Sequence, residues 1–313
     1  MFISKAGLLG LFPYGNRIWR VIADAGPIDP ERPRRHPTCE DMLDVLRSRT
    51  GLHWTVEKAR WLSEFRINER QVDQYCHGRV ILAGDAAHVH SPAGGQGMNT
   101  SIQDAVNLSW KLAMVIKKQA ASSLLTTYQD ERHPVGAAVV EGSGRMLRVM
   151  MNQNPLISFF RRWILPYLVG LAPIRKEAVN RLSEVDVEYC GGPLAYTGAG
   201  CWIGRRCPEI SWGDDGSSIY DLFTGTGFTV IRLGRGSITD TMWERVIRAA
   251  GPDVVIIDAV KPDDSIAEEA RAFAQSLAAD DGTLVVVRPD YYLGPVSSDI
   301  DGILAWFTTL KHL

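Results

Sequence analysis

The chain has 313 residues, of which 45% are hydrophobic, and a formal net charge of -2. That length accommodates two domains, and the balanced charge excludes the broad basic surface that nucleic-acid binders present. The most apolar stretch, 155–172, is interrupted by Arg161, Arg162 and Pro166, so it reads as a buried or interfacial helix and not as a membrane span.

The apolar run after Lys5 is too short for a secretory signal, with Pro13 close behind. Residues 8–12 and 19–23 are predicted strands flanking Tyr14-Gly15-Asn16, the pattern of a hairpin. A loop rich in proline and charge follows over 24–37. Met42, Leu43 and Leu46 give residues 39–50 helical spacing, and 54–67 reads as one or two strands of the same sheet. Trp19, Trp54, Trp61 and Phe65 are each expected in a core, since large aromatics dominate protein interiors.

Residues 78–111 carry the strongest pattern. Val80, Ile81, Leu82 and Ala83 form a continuous apolar run, which predicts a parallel strand buried on both faces. Gly84 admits close approach of a ligand to the backbone, and Asp85 stands at the strand's carboxyl end, where open α/β sheets place ligands. Pro92, Gly94, Gly95 and Gly97 build a turn that leaves backbone N–H groups uncovered. Asn99, Thr100 or Ser101 can cap the next helix, and Ser101 with Asp104 matches a capping box. Ile102, Ala105, Val106, Leu112, Ala113 and Ile116 share its apolar face, with Lys117 and Lys118 in the last turn. An acidic group opposite a positive helix start suits a ligand with sugar-like hydroxyls and an anionic end. The same spacing also occurs in a plain strand–turn–helix connection, and the pattern alone leaves both readings open.

His88 and His90 are two potential ligands without a third nearby, so no metal site is predicted. The five cysteines are odd in number and form no C-x-x-C pair, which fits reduced thiols in a cytoplasmic protein. Residues 124–148 are helical in pattern, with Gly142 and Gly144 as weak points, and 172–182 continue the helical region. The glycine-rich stretch 191–212 reads as a connection. From 218 onward the order β-α-β-α-β-β-α suggests a thioredoxin-like domain, without the cysteines for thiol chemistry.

The run from Gly78 to Lys111 closely resembles the second flavin motif of FAD-dependent aromatic hydroxylases, the single-component flavoprotein monooxygenases that include phenol and polyketide hydroxylases. Phe65-Arg66-Ile67-Asn68, Tyr128 to Pro134, Gly204 to Glu209 and Val287-Arg288-Pro289-Asp290 resemble the same family. Ser91 stands where proline is common there, Ser101 where glycine is common, and Asp290-Tyr291-Tyr292 replaces the usual Asp-Gly and aromatic. The resemblance implies that Asp85 holds the ribityl hydroxyls of FAD, with Gly84 part of the same cofactor site. It implies that Pro92, Gly94, Gly95, Gly97, Met98 and Asn99 line the flavin ring, and that residues 1–67 close over the substrate, where Trp19, Trp54, Trp61 and Phe65 are candidate lining. No residue is assigned as a catalytic acid or base.

The fold expected is α/β (α+β): a partial FAD and substrate domain over 1–195, a linker over 196–217 and a thioredoxin-like domain over 218–313. The resemblance implies a monooxygenase that uses NAD(P)H and O2 to hydroxylate an aromatic, phenolic or polyketide-like substrate. The G-x-G-x-x-G of a dinucleotide-binding unit is missing: Gly198-Ala199-Gly200 with Gly204 is one residue too long, and Gly225-Thr226-Gly227 opens a strand. The chain therefore reads as the C-terminal portion of a larger enzyme, completed in cis or in trans. The alternative is a non-catalytic subunit that supplies the ring-side wall and associates, as a homo-oligomer or otherwise, through its C-terminal domain.

Overall fold

Residues 2–4, 7–26, 36–152, 154–195, 204–209, 211–212, 217–223, 226–258 and 273–313 are described by the computed structural model. They fall into two units, one of Met1–Arg70, Val89–Gly95 and Val139–Ala178, the other of Gln71–His88, Gln96–Ala138 and Val179–Leu313.

The first unit begins with an antiparallel meander, β1 (Phe2–Ser4), β2 (Gly7–Pro13) and β3 (Trp19–Ala23). The expected hairpin joins β2 to β3, with Leu11 opposite Val21. Helix α1 (Cys39–Thr50) follows, started by a capping box in which Asp41 N donates to Thr38 Oγ1 and Thr38 N donates to Asp41 Oδ2. At its far end the Arg49 guanidinium donates to the carbonyls of Leu8 and Asp24, tying the helix to β2 and to the end of β3.

The strands expected over 54–67 do not form. A strand requires a ladder partner for its row of N–H and C=O groups, and the sheet here consists of β1, β2 and β3, with 54–67 paired to none of them. Trp19, Trp61 and Phe65 are exposed, Trp61 by 74%, and Trp54 is only partly buried, so these are not core aromatics. Residues 155–170 are helical as expected, yet Leu156, Phe159, Trp163 and Tyr167 face solvent, so this helix is not buried.

In the second unit the run 80–83 departs from expectation. Only Val80–Ile81 (β5) is a strand, paired antiparallel with Cys76–His77 (β4), and Val80 is exposed. Ile81, Leu82 and Ala83 pack instead on a small cluster around Tyr75, Ala87 and Tyr128, and the Tyr128 hydroxyl donates to Leu82 O at 3.0 Å. Two long helices follow, α2 (Gly97–Ile116) and α3 (Thr126–Met151). Gly142 and Gly144 do not interrupt α3. A Cβ at Gly144 would stand 2.5 Å from Glu69 Oε2, so the bare backbone there admits that carboxylate.

The carboxyl-terminal strands are β6 (Thr229–Leu233), β7 (Val255–Asp258), β8 (Thr283–Val287) and β9 (Leu293–Ser297). They form one sheet in the order β7-β6-β8-β9, with β6 parallel to β7 and antiparallel to β8, and β8 antiparallel to β9. Helix α4 (Asp240–Ala250) starts at Thr239, whose hydroxyl accepts from Met242 N, and α5 (Ile300–His312) starts at Asp299. The second helix of the expected β-α-β-α-β-β-α order lies outside the described residues except for its end, as does most of the expected linker.

Period-two alternation splits the sheet's side chains between two cores. Val230, Leu284 and Val286 meet Trp243, Val246, Ile303, Phe307 and the α2 residue Trp110 on one face. Ile231, Val285 and Val287 meet Phe223, Phe273 and Leu277 on the other. Ile303 is fully buried between α5 and the sheet. Ile303→Ala is expected to lower stability by about 2–5 kcal/mol, measured by denaturant titration, because deleting buried methylenes leaves a cavity.

Candidate functional site

The turn Gly84–Ala86 is a single 3-10 turn. Gly84 has φ +58°, and a Cβ there would stand 2.9 Å from the side chain of Ser101, so the turn lies directly on α2. The glycine common at position 101 in the resembling family is not needed, because it is Gly84 that makes the close approach.

Asp104 secures this arrangement. Its Oδ2 accepts from Gly84 N at 3.0 Å and lies 2.8 Å from His88 Nε2, while Oδ1 accepts from Arg132 Nε at 2.7 Å. Arg132 is fully buried and also donates to the Thr100 carbonyl, to Gln103 and to the Tyr189 hydroxyl. Burial alone would raise the Asp104 carboxyl pKa, but His88 and Arg132 outweigh it and hold it below its ordinary value. The capping box expected of Ser101 and Asp104 is therefore absent: α2 starts four residues earlier, at Gly97, and Asp104 is committed to Gly84, His88 and Arg132.

Asp85 follows this clamped glycine and is exposed. Gly97, Met98 and Asn99 form the first turn of α2, which no side chain caps, so the expected caps at Asn99 to Ser101 do not form. The first N–H groups of any helix lack intrahelical acceptors, and the dipole makes that end electropositive. Gln96 holds the approach to the helix by donating to Arg181 O at 2.8 Å, and Thr100 Oγ1 donates to Glu184 Oε1. Pro92, Gly94 and Gly95 belong to the other unit. There Pro92–Gly94 is a short 3-10 turn, and Gly95 N donates to Pro92 O at 3.0 Å, so this N–H is not uncovered as expected.

A second buried cluster, which the sequence reading assigned no role, joins α2, α3 and the end of β8. Glu131 accepts from Arg288 Nη1 at 2.7 Å and Nη2 at 2.8 Å, from Lys111 Nζ at 2.7 Å and from Asn107 Nδ2 at 2.8 Å. Asp290 accepts from Arg288 Nε and Nη2, from Trp110 Nε1 and from Asn107. All of these side chains are buried. Burial raises the Glu131 carboxyl pKa, but Arg288 and Lys111 outweigh it and hold it down to about 2, while burial lowers the Lys111 ammonium. Tyr291 takes φ +66°, where the resembling family has glycine. The turn survives, with Tyr291 N donating to Arg288 O, and the strained residue's ring stacks on Phe223.

The signal for these missed residues was present. Thr100, Asp104, Asn107 and Lys111 recur at helical spacing, as the apolar residues of α2 do, and α2 buries the polar stripe. The apolar face expected to be covered is turned outward, because paired and hydrogen-bonded charges can be buried.

Residues 2–143 match the FAD_binding_3 family, described as an FAD binding domain. The chain is similar in sequence to monooxygenases. It is 33% identical over 235 residues to rifampicin monooxygenase of Streptomyces venezuelae, covering 75% of this chain and 47% of the relative. It is 31% identical over 319 residues to 6-methylpretetramide 4-monooxygenase of Streptomyces rimosus, covering 93% of this chain and 54% of the relative. The crystal structure of CabE, an aromatic hydroxylase from angucycline biosynthesis, superimposes with a TM-score of 0.73 at 28% identity, covering 95% of this chain and 57% of CabE. The chain thus spans about half the length of the curated relatives it matches. No helix among the described residues is long and apolar enough to cross a membrane.

Replacing Glu131 by Gln keeps the shape but leaves Lys111 without its anion and Arg288 with Asp290 alone. The expected loss is about 3–5 kcal/mol in denaturant titration at neutral pH. The pKa of Glu131 falls from 4.5 to about 2 on folding, so its contribution is fully present above pH 4.5 and is lost as pH falls toward 2. The stability difference between wild type and Glu131→Gln is therefore expected to shrink across that window.

Proposed function

We propose that this chain is the substrate-side and ring-side portion of an FAD-dependent monooxygenase that hydroxylates an aromatic, phenolic or polyketide-like substrate. The observation that carries the reading is the Asp104 clamp, which fixes the Gly84–Asp85 turn on α2 and leaves Asp85 exposed beside an uncapped helix start. Those groups fit FAD: a carboxylate for ribityl hydroxyls and N–H donors for the anionic edge of a reduced ring. FAD, when bound, supplies oxygen activation with NAD(P)H as transient reductant and O2 as co-substrate.

Within this chain, Asp85 would accept hydrogen bonds from the ribityl chain. Gly97, Met98 and Asn99 would present the helix start to the ring. Pro92, Gly94 and Gly95 remain proposed lining on the strength of the resemblance. The exposed Trp19, Trp61 and Phe65 supply apolar surface for an aromatic substrate. We also infer the domain division at 1–195, 196–217 and 218–313, with the last thioredoxin-like. The β7-β6-β8-β9 order, with β8 antiparallel to its neighbours, supports that reading.

The second reading is a non-catalytic subunit that supplies the ring-side wall and associates through its C-terminal domain. Titration of the purified chain with FAD, followed by absorbance and fluorescence, tests the first. Saturable binding that Asp85→Ala weakens at least tenfold is expected. Binding indifferent to Asp85→Ala would remove the proposed site, and a folded chain that binds no FAD by itself would favour the second reading.

A further inference from the structure

The helical segment 155–170 of the first unit has a built start: Pro155 stands in its first turn, and Leu156 N donates to Asn154 Oδ1 at 2.9 Å. It continues through a wider turn over Phe160–Ile164 and ends at Gly170. Among its described side chains none is buried. Leu156 is 79% exposed, Phe159 59%, Trp163 64% and Tyr167 74%. These four recur at spacings of three, four and four, which sets them along one side of the helix. Helices in proteins draw most of their stability from packing an apolar face, and short ones are marginal in water by themselves. These side chains obtain little of that packing from their own chain.

Contiguous apolar surface of this kind marks a protein contact or a membrane contact. Charge decides between the two. Residues 139–178, the part of the first unit that carries the helix, hold six Arg and Lys against two Glu, in a chain whose net charge is -2. A two-fold contact with a second copy would set this basic segment against itself, and like charges facing each other oppose binding. An anionic lipid surface attracts it instead. The aromatic content agrees: Trp and Tyr, with an apolar body and a polar tip, concentrate at the boundary between membrane and water. At 1.5 Å per residue the segment is about 24 Å long, short of the roughly 30 Å hydrocarbon core, and Arg161 and Arg162 stand near its middle in the sequence. Such a helix lies in the plane of the interface and does not cross it.

We propose that the segment 155–170 is a surface-lying anchor that docks this chain on a bilayer carrying anionic headgroups. Leu156, Phe159, Trp163 and Tyr167 enter the boundary between headgroups and acyl chains, and the surrounding basic residues face the headgroup charge. The docking needs no flavin, so it is measured on the chain without FAD.

The purified chain is mixed with vesicles of phosphatidylcholine alone or of phosphatidylcholine with phosphatidylserine, and binding is read by flotation over a series of lipid concentrations. Binding about tenfold or more tighter to the anionic vesicles, and weakened by added salt, is the expected result. Phe159→Glu and Trp163→Glu alter exposed positions, and unchanged circular dichroism will establish that they fold. Each is expected to weaken the binding about tenfold, with Trp163→Ala weakening it in the same direction and Ile116→Glu on α2 leaving it intact. No binding to the anionic vesicles, equal binding to both kinds, or binding indifferent to the Phe159 and Trp163 variants overturns the proposal. Self-association of the chain without lipid that the same variants abolish also overturns it, since a second copy would then hold the face.

Discussion

Arg288 and Glu131 form a paired, two-point ion bridge with almost no access to water, and the rest of the second unit is arranged around it. Neither charge tolerates burial alone, so each surrounding element supplies a partner. From α2 come Asn107, Lys111 and the indole N–H of Trp110, and from the end of β8 comes Asp290. Because these partners are 157 and more residues from Arg288 or from one another in several cases, the pairing forms only when distant segments have already met. A low-dielectric site makes such a network all-or-none: satisfied, it fixes one register, and short of a member, it exposes an unpaired charge.

That constraint explains the orientation of α2. With Asp104 bound to Arg132 and Lys111 bound to Glu131, the helix has to turn this side inward. Its aliphatic side is then left outside by geometry, and the Gly84 turn is drawn onto its second turn by the Asp104 carboxylate. The exposed acid at Asp85 and the uncapped start at Gly97 are thus consequences of buried electrostatics some distance along the helix. The geometry of the proposed flavin-side surface depends here on ion pairs in the interior.

The same logic separates two kinds of glycine and its substitutes. Gly84 is required both for its left-handed backbone and for the missing Cβ, which leaves room for Ser101. Tyr291 occupies a comparable left-handed position without being glycine, and ring contacts with Phe223 and Tyr220 accompany it. One position depends on space, where no side chain can substitute. The other depends on backbone conformation, where side-chain packing offsets the strain.

Much was legible in the residues themselves. Strands that read as short apolar runs, such as Thr229–Leu233 and Thr283–Val287, and helices with a local cap, such as Cys39–Thr50 after Thr38, appear where patterning put them. These are decided by neighbours within a few positions, and the residues of the proposed flavin site were named from a local pattern of the same kind. Tertiary structure alone decided which side of α2 is buried, why Asp104 is not a cap, why 80–83 is no buried parallel strand, and why the aromatics of 54–67 face outward. Periodicity reports that a helix has two faces but not which partner each will find. When the partner is an arginine 28 or 157 residues away, the choice belongs to the assembled fold, because only there does a buried charge meet its counter-charge.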